Sequence, residues 1–219
     1  MKKCLMITSI CVAILLTSCV SYNIVAPDFY NGNLEDNRNA ILLSAYIPEN
    51  GNRSISIDTI DIRKLYLEQF ELLQDSSLID FLVDKIVLAR FYDELRSDNH
   101  SCTWFKASLY KTLPKFYYLG EMTISPIYHS FVIGVFEDSR PFYNDLIALV
   151  NETEQGFVSI AILSEVAELS ELYYYQSCRF DVRKKLFYME AQRDSWFEGE
   201  KAEDRFVKRC KIQNDGKFL

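Results

Sequence analysis

Leu16-Thr17-Ser18-Cys19 is the one short stretch of this sequence whose residue types and spacing prescribe a specific chemistry. The Cys19 thiol is a soft nucleophile that can take a diacylglyceryl group as a thioether. Small side chains at Thr17 and Ser18 let an extended chain lie in a peptidase cleft, and Leu16 fills the apolar position ahead of them. The pattern is that of a bacterial lipobox, so cleavage is expected before Cys19, with lipid carried on its sulfur. The preceding residues agree with this. Lys2 and Lys3 make a positive start, and 5–16 is apolar apart from Thr8, Ser9 and Cys11. A run of that length suits a signal-peptide core and falls short of the roughly 20 residues a bilayer-spanning helix requires. Acyl chains of the palmitate kind contribute about 0.8 kcal/mol per buried CH2, and two or three hold a protein stably where one does not.

Other reactive residue types are sparse. The chain has 2 histidines, His100 and His129, which excludes a multi-histidine metal centre. Asp98-Asn99-His100-Ser101-Cys102 places a thiol two residues from an imidazole, but thiol–imidazole pairs are seldom built from local neighbours, so a polar loop is the expected reading. His129, between Tyr128 and Ser130, is expected to be a hydrogen-bonded structural residue. The acids cluster as Glu152/Glu154, Glu165/Glu168, Glu198/Glu200 and Glu203/Asp204, in turns and on alternating faces. That is the distribution of a solvated acidic surface, and no spacing singles out a catalytic pair. A nucleophile elbow, a P-loop and a zinc motif are all missing from the sequence. No catalytic residue, cofactor or metal ligand is therefore assigned. Aromatic residues are more suggestive. Tyr173-Tyr174-Tyr175 must alternate across a strand, Trp196-Phe197 sit in an expected loop, and Trp104-Phe105 follow His100. Tyr173, Tyr175 and Trp196 are the candidate binding aromatics, since rings on a rigid sheet stack on sugars or anchor a protein partner. Asp58-Thr59-Ile60 has the form of a short O-glycan acceptor.

Composition bounds the rest. Of 219 residues, 49% are hydrophobic and 14% aromatic, enough for a packed core, and 7 glycines with 5 prolines are too few for a fibrous chain. The formal charge is −7, and loss of a leader holding Lys2 and Lys3 makes the remainder more acidic still, which argues against nucleic acid as a partner. Cys4 and Cys11 leave with the leader and Cys19 carries lipid. Cys102, Cys178 and Cys210 remain, an odd number that allows at most one disulfide.

Three regions are expected: a signal peptide over 1–18, a lipidated cysteine with a flexible tether over 19–37, and one globular domain over 38–219. Eighteen flexible residues after Cys19 would reach roughly 25 Å; alternatively, Phe29 and Tyr30 dock on the domain. The domain begins with an apolar run over 40–47, expected as a buried strand. Ile62, Leu65, Tyr66, Phe70 and Leu73 then recur at helical spacing. Ser77-x-x-Asp80 has capping-box form ahead of a helical segment over 78–95, which could instead break into helix and strand. From about 113 onward, strands are expected over 116–124, 128–136, 146–150, 157–163, 172–180, 186–193 and 205–212, separated by turn residues. Short strands at this spacing argue an antiparallel meander. The runs 131–136 and 158–163, apolar on both faces, belong at its centre, whereas Phe187 and Met189 face away from Tyr188 and Glu190. Asn214-Asp215-Gly216 signals a tight turn. The fold expected is α+β, a strand and helical segment followed by a meander of six or seven strands. Strands next to one another lie about 4.8 Å apart, so Cys178 and Cys210, with the 186–193 strand between them, would sit roughly 9.6 Å apart, beyond the about 7 Å a disulfide allows. Buried free thiols are the expectation.

The runs LPKFYYLGEMTISPIYHSFVIG, LIALVNETEQGFVSIAIL and QNDGKF resemble small lipoproteins of Bacteroides-type bacteria over about 113–219. The shared pattern places Ser130, Asn151 and Ser159 at strand positions and Asp215-Gly216-Lys217-Phe218 at a closing turn. These are packing and turn motifs, and the resemblance carries over no catalytic residue. It implies a β-meander and an envelope address. Val20 follows Cys19 where an inner-membrane retention signal would have aspartate, so by resemblance to Gram-negative lipoproteins the outer membrane is expected. The expected role is a non-enzymatic binding or accessory module, held to the membrane by lipid and engaging an envelope protein or glycan. The alternatives are an envelope hydrolase using dispersed carboxylates, or a purely structural component.

Overall fold

The computed structural model describes residues 23–24, 27–33, 42–47, 59–91, 114–137, 143–169, 172–197 and 200–219. Seven long strands follow one another as a meander: β5 (Lys115–Glu121), β6 (His129–Phe136), β7 (Tyr143–Thr153), β8 (Gly156–Leu169), β9 (Leu172–Asp181), β10 (Leu186–Phe197) and β11 (Glu200–Lys211). Four short strands from the N-terminal half extend the sheet: β1 (Asn23–Ile24), β2 (Phe29–Asn31), β3 (Thr59–Ile60) and β4 (Glu71–Leu73). The order runs β1-β11-β10-β9-β8-β7-β6-β5-β4, with β2 on β8 and β3 on β9. All described pairings are antiparallel except β1 with β11. One described α-helix, α1 (Ser76–Phe91), completes the architecture.

The sheet forks at the β8–β9 hairpin. These strands pair only near their turn, from Glu165↔Gln176 to Leu169↔Leu172. Beyond Glu165 they part, β2 taking the open edge of β8 at residues 159–161 and β3 the open edge of β9 at 178–179. Two leaves result, each with one face toward the other. Between them Leu149, Leu163, Cys178, Phe187, Met189 and Phe218 form one core. On the far side of the first leaf, Leu78, Leu82 and Ile86 of α1 meet Ile133, Leu146 and Ile160 in a second. Strand β6 serves both cores and is buried along all but its first residue, which is why its sequence is apolar at odd and even positions alike. In β10, Phe187 and Met189 are inside and Glu190 is exposed, the alternation expected of a one-sided leaf.

The cysteines behave as the strand order requires. Cys178 stands opposite Met189 and Cys210 opposite Phe187, on either side of β10, and both are buried free thiols. The turn over Asn214–Gly216 is also present, with Gly216 at φ 85° and a Gln213–Lys217 backbone bond of 2.8 Å.

The N-terminal half departs from expectation. Residues 43–46 form a 3-10 turn instead of a strand, because the buried Glu152 carboxylate accepts from the Leu43 and Ser44 amides at 2.7 and 2.9 Å. The helical spacing over 61–73 resolves into 3-10 turns at Ile62–Lys64 and Leu67–Gln69 followed by β4. Three residues per turn present apolar side chains at nearly the same intervals as an α-helix, and the Ile62 amide is drawn instead to Ser164 Oγ at 3.1 Å. Helix α1 is capped by Asp75, whose Oδ1 accepts from the Leu78 amide at 2.9 Å; Ser77 lies within the helix, and no strand interrupts it before Phe91. Of the stretch expected as tether or docked segment, residues 23–24 and 29–31 are strands, and Tyr30 is buried. Among the described residues no helix is long and apolar enough to cross a membrane.

Candidate functional site

The outward face of the second leaf carries the aromatic candidates. Alternate residues of a strand share a face, so the rungs Tyr173↔Asp194, Tyr175↔Gln192 and Arg179↔Tyr188 place Tyr173, Tyr175, Tyr188 and Trp196 on one side. Tyr174 points the other way, where its hydroxyl meets Lys208. The three tyrosines differ in availability. Arg63 lies over the Tyr175 ring, 3.5 Å from its centre, and both residues contact Asp61. Burial alone would push the Asp61 carboxyl up, but hydrogen bonds from Arg63 outweigh it and hold the carboxyl below its ordinary value. Tyr175 is thus a covered ring tied into the fold. Tyr173 and Tyr188 are half-buried, and Trp196 is 41% exposed. Around them, Arg179 pairs with Glu190 at 2.7 Å, and Arg205 with Glu203 at 2.9 Å. At the end away from Trp196, Arg179, Phe180, Asp181 and Tyr188 border a shallow depression of about 330 Å³. Aromatic faces next to paired charges can stack on a ring and hydrogen-bond its substituents at once.

A second depression, of about 440 Å³, lies at the start of β6 and is bordered by Glu121, Ser125, Ile127, His129, Glu154 and Gln155 among others. His129 is more than half exposed, with Nδ1 2.9 Å from Glu121 Oε1 and its ring stacked on Phe131. The expected hydrogen-bonded histidine is present, but at the surface. Glu154, which also borders this depression, is exposed. Among the described residues, no group of three or more His, Cys, Asp or Glu side chains is arranged to hold a metal.

Two buried polar clusters were not legible as sites, and both are structural. Where the leaves part, Arg90 from α1 ion-pairs with Glu165 of β8, while Lys208 of β11 meets Asp28 at 2.6 Å and the Tyr174 hydroxyl at 3.2 Å. The Glu165 charge keeps Arg90 protonated despite its burial. Glu165 is therefore no surface acid, and neither is Glu152. The second cluster collects the residues of the resemblance motif. Asn151 Oδ1 accepts from Ser130 Oγ at 2.8 Å, and Asn151 Nδ2 donates to Ser159 Oγ and to the Gly216 carbonyl at 3.0 and 2.8 Å. Ser159 Oγ also donates to that carbonyl at 2.6 Å. Asn31 exchanges two hydrogen bonds with the Phe218 backbone beside it. The motif is a staple that fixes the closing turn to three strands.

Cys19, Leu16–Ser18, the His100–Cys102 loop, Trp104 and Phe105 lie outside the described residues; Thr59 of the acceptor triplet is in β3, opposite Arg179. Compared with known protein families, curated proteins and solved structures, the chain matches none.

Proposed function

We propose that this chain is a lipid-anchored lipoprotein of the bacterial outer membrane, acting as a non-enzymatic module that binds an envelope glycan on the outward face of β9–β11. The lipobox ending at Cys19 supports the address. The observation that carries the binding reading is the depression bordered by Arg179, Asp181 and Tyr188 on a face that also presents Tyr173. A sugar ring stacked on Tyr188 would find donors in Arg179 and an acceptor in Asp181 within the same depression. The test is titration of the purified protein with fractionated envelope polysaccharides, using Tyr188→Ala and Arg179→Ala. Each variant is expected to weaken binding at least about tenfold, the scale of one lost anchor of roughly 1.4 kcal/mol. Equal affinity in all three proteins overturns the reading, and a protein partner lost from the same variants replaces the glycan by a protein.

The hydrolase alternative has one observation in its favour, the His129–Glu121 contact in a depression that Glu154 also borders. Glycan turnover abolished by Glu121→Gln would establish it.

A further inference from the structure

Strand β1 connects the two ends of the account. It pairs in parallel with β11, Asn23 opposite Phe206 and Ile24 opposite Val207. Because the pairing is parallel, the Asn23 end of β1 faces the side on which β11 begins, toward the β10–β11 connection. Only residues 20–22 separate Cys19 from Asn23. Four Cα steps span at most about 14 Å. The hairpin meanwhile continues from Phe206 to the Trp196↔Lys201 rung, five residues or about 17 Å of strand. The tip therefore reaches as far along the strand direction as any position Cys19 can take.

Given the lipid anchor proposed above, on which this inference rests, we infer that the β10–β11 hairpin tip lies in the bilayer interface and that Trp196 is its membrane contact. A sulfur carrying acyl chains must sit at the headgroup level, a layer of roughly 5–8 Å on each side of the hydrocarbon. With the anchor confined to that layer, a hairpin of this length touches it. The residue presented there suits the place. Trp196 is one of seven large apolar or aromatic side chains exposed among the described residues, and indole is enriched at membrane–water boundaries, where one edge is apolar and the other wet. The tip is acidic in sequence: Glu198 and Glu200 flank Gly199 beside Lys201, and Asp194, Glu203 and Asp204 follow beside Arg193 and Arg205. The surface it fits is accordingly zwitterionic, with contact supplied by the ring and the anchor, without electrostatic attraction. The depression at Arg179 and Tyr188 lies eight residues of β10 away from Trp196, about 26 Å toward solvent, so the same orientation leaves the proposed glycan site clear of the membrane.

The test uses the lipidated full chain carrying Trp104→Phe, so that Trp196 is the one indole left, reconstituted in phosphatidylcholine–phosphatidylethanolamine vesicles with brominated acyl chains. Trp196 emission is expected to shift to the blue and to be quenched at least about twofold, and unlipidated Cys19→Ser protein is expected to show neither change. In the same background, Trp196→Phe with Tyr188→Trp is expected to remain unquenched, which separates a defined orientation from general adsorption. If Trp104→Phe does not fold, the difference between the unaltered chain and Trp196→Phe gives the same reading. Unquenched Trp196 on protein whose N-terminal peptide carries lipid overturns the inference and leaves the anchor standing. An N-terminal peptide without lipid overturns both.

Discussion

At the scale of single residues, the molecule places its polar side chains in two buried clusters that hold distant segments together. Asn151 makes three hydrogen bonds to Ser130, Ser159 and Gly216. Asn151→Leu removes all three bonds and deprives the buried Ser130 hydroxyl of its acceptor, at about 1–3 kcal/mol for an unmet group, while Ser159 and the Gly216 carbonyl keep each other. We expect it to lower stability by about 3 kcal/mol in urea unfolding, while Ser159→Ala costs about 1 kcal/mol. The Arg90–Glu165 pair behaves differently. Removing Glu165 takes the ion-pair partner from a largely covered Arg90, so Glu165→Leu alone is expected to cost about 3 kcal/mol, and Arg90→Met with Glu165→Leu to recover most of it. A double mutant as unstable as the single one would count against that assignment. The thiols give a pH dependence. Burial raises the Cys210 thiol from 9.0 to about 12 and pushes Cys178 higher, the neighbouring Cys210 adding to the effect. Burial likewise raises Tyr118 and Tyr128 from 10.0 to about 12. In each case the unfolded chain ionises first. The stability is fully present below about pH 9 and drains away as the pH rises toward 12. Native protein at pH 8 should accordingly leave Cys178 and Cys210 unlabelled by iodoacetamide, with labelling appearing on unfolding.

At the scale of elements, the C-terminal strands were legible and the N-terminal half was not, for one physical reason. Strands β5 to β11 are long enough for their alternation and intervening turns to identify them locally, and strand order alone then keeps Cys178 and Cys210 apart. Residues 42–47 and 59–73 take their form from partners far along the chain. Glu152 tightens 43–46 from more than a hundred residues away, and Ser164 captures the Ile62 amide. Neither partner is visible from local periodicity. The helix was legible, but its cap was set two residues too late, because Ser77-x-x-Asp80 outscored the lone Asp75 as a pattern. Asp75→Ala is expected to cost about 1 kcal/mol and Ser77→Ala close to nothing; equal losses in thermal unfolding would restore the capping box. The candidate site was half legible. Alternation placed Tyr173 and Tyr175 on one face, whereas Trp196, expected in a loop, lies in β10, because that strand runs on to Phe197 and so brings the indole to the same face. It could not foresee Arg63 over Tyr175, nor the depression that Arg179 and Tyr188 form beside Asp181.

At the scale of the whole molecule, the fork in the sheet and the proposed lipid anchor would act together. The fork lets β2 and β3 pair with the open edges of β8 and β9, and β1 pairs with the outer edge of β11, so residues 23–24, 29–31 and 59–60 belong to the sheet. A lipid at Cys19 would then hold the domain close to a bilayer in a defined orientation, with the β10–β11 tip inward and the Arg179–Tyr188 depression outward. The envelope address and the membrane orientation both depend on that attachment. Mass spectrometry of the N-terminal peptide from the native bacterium tests it most directly. The account predicts a chain that starts at residue 19, with diacylglyceryl on sulfur and acyl on nitrogen. A peptide that begins at Met1, or one whose cysteine is unmodified, would contradict it.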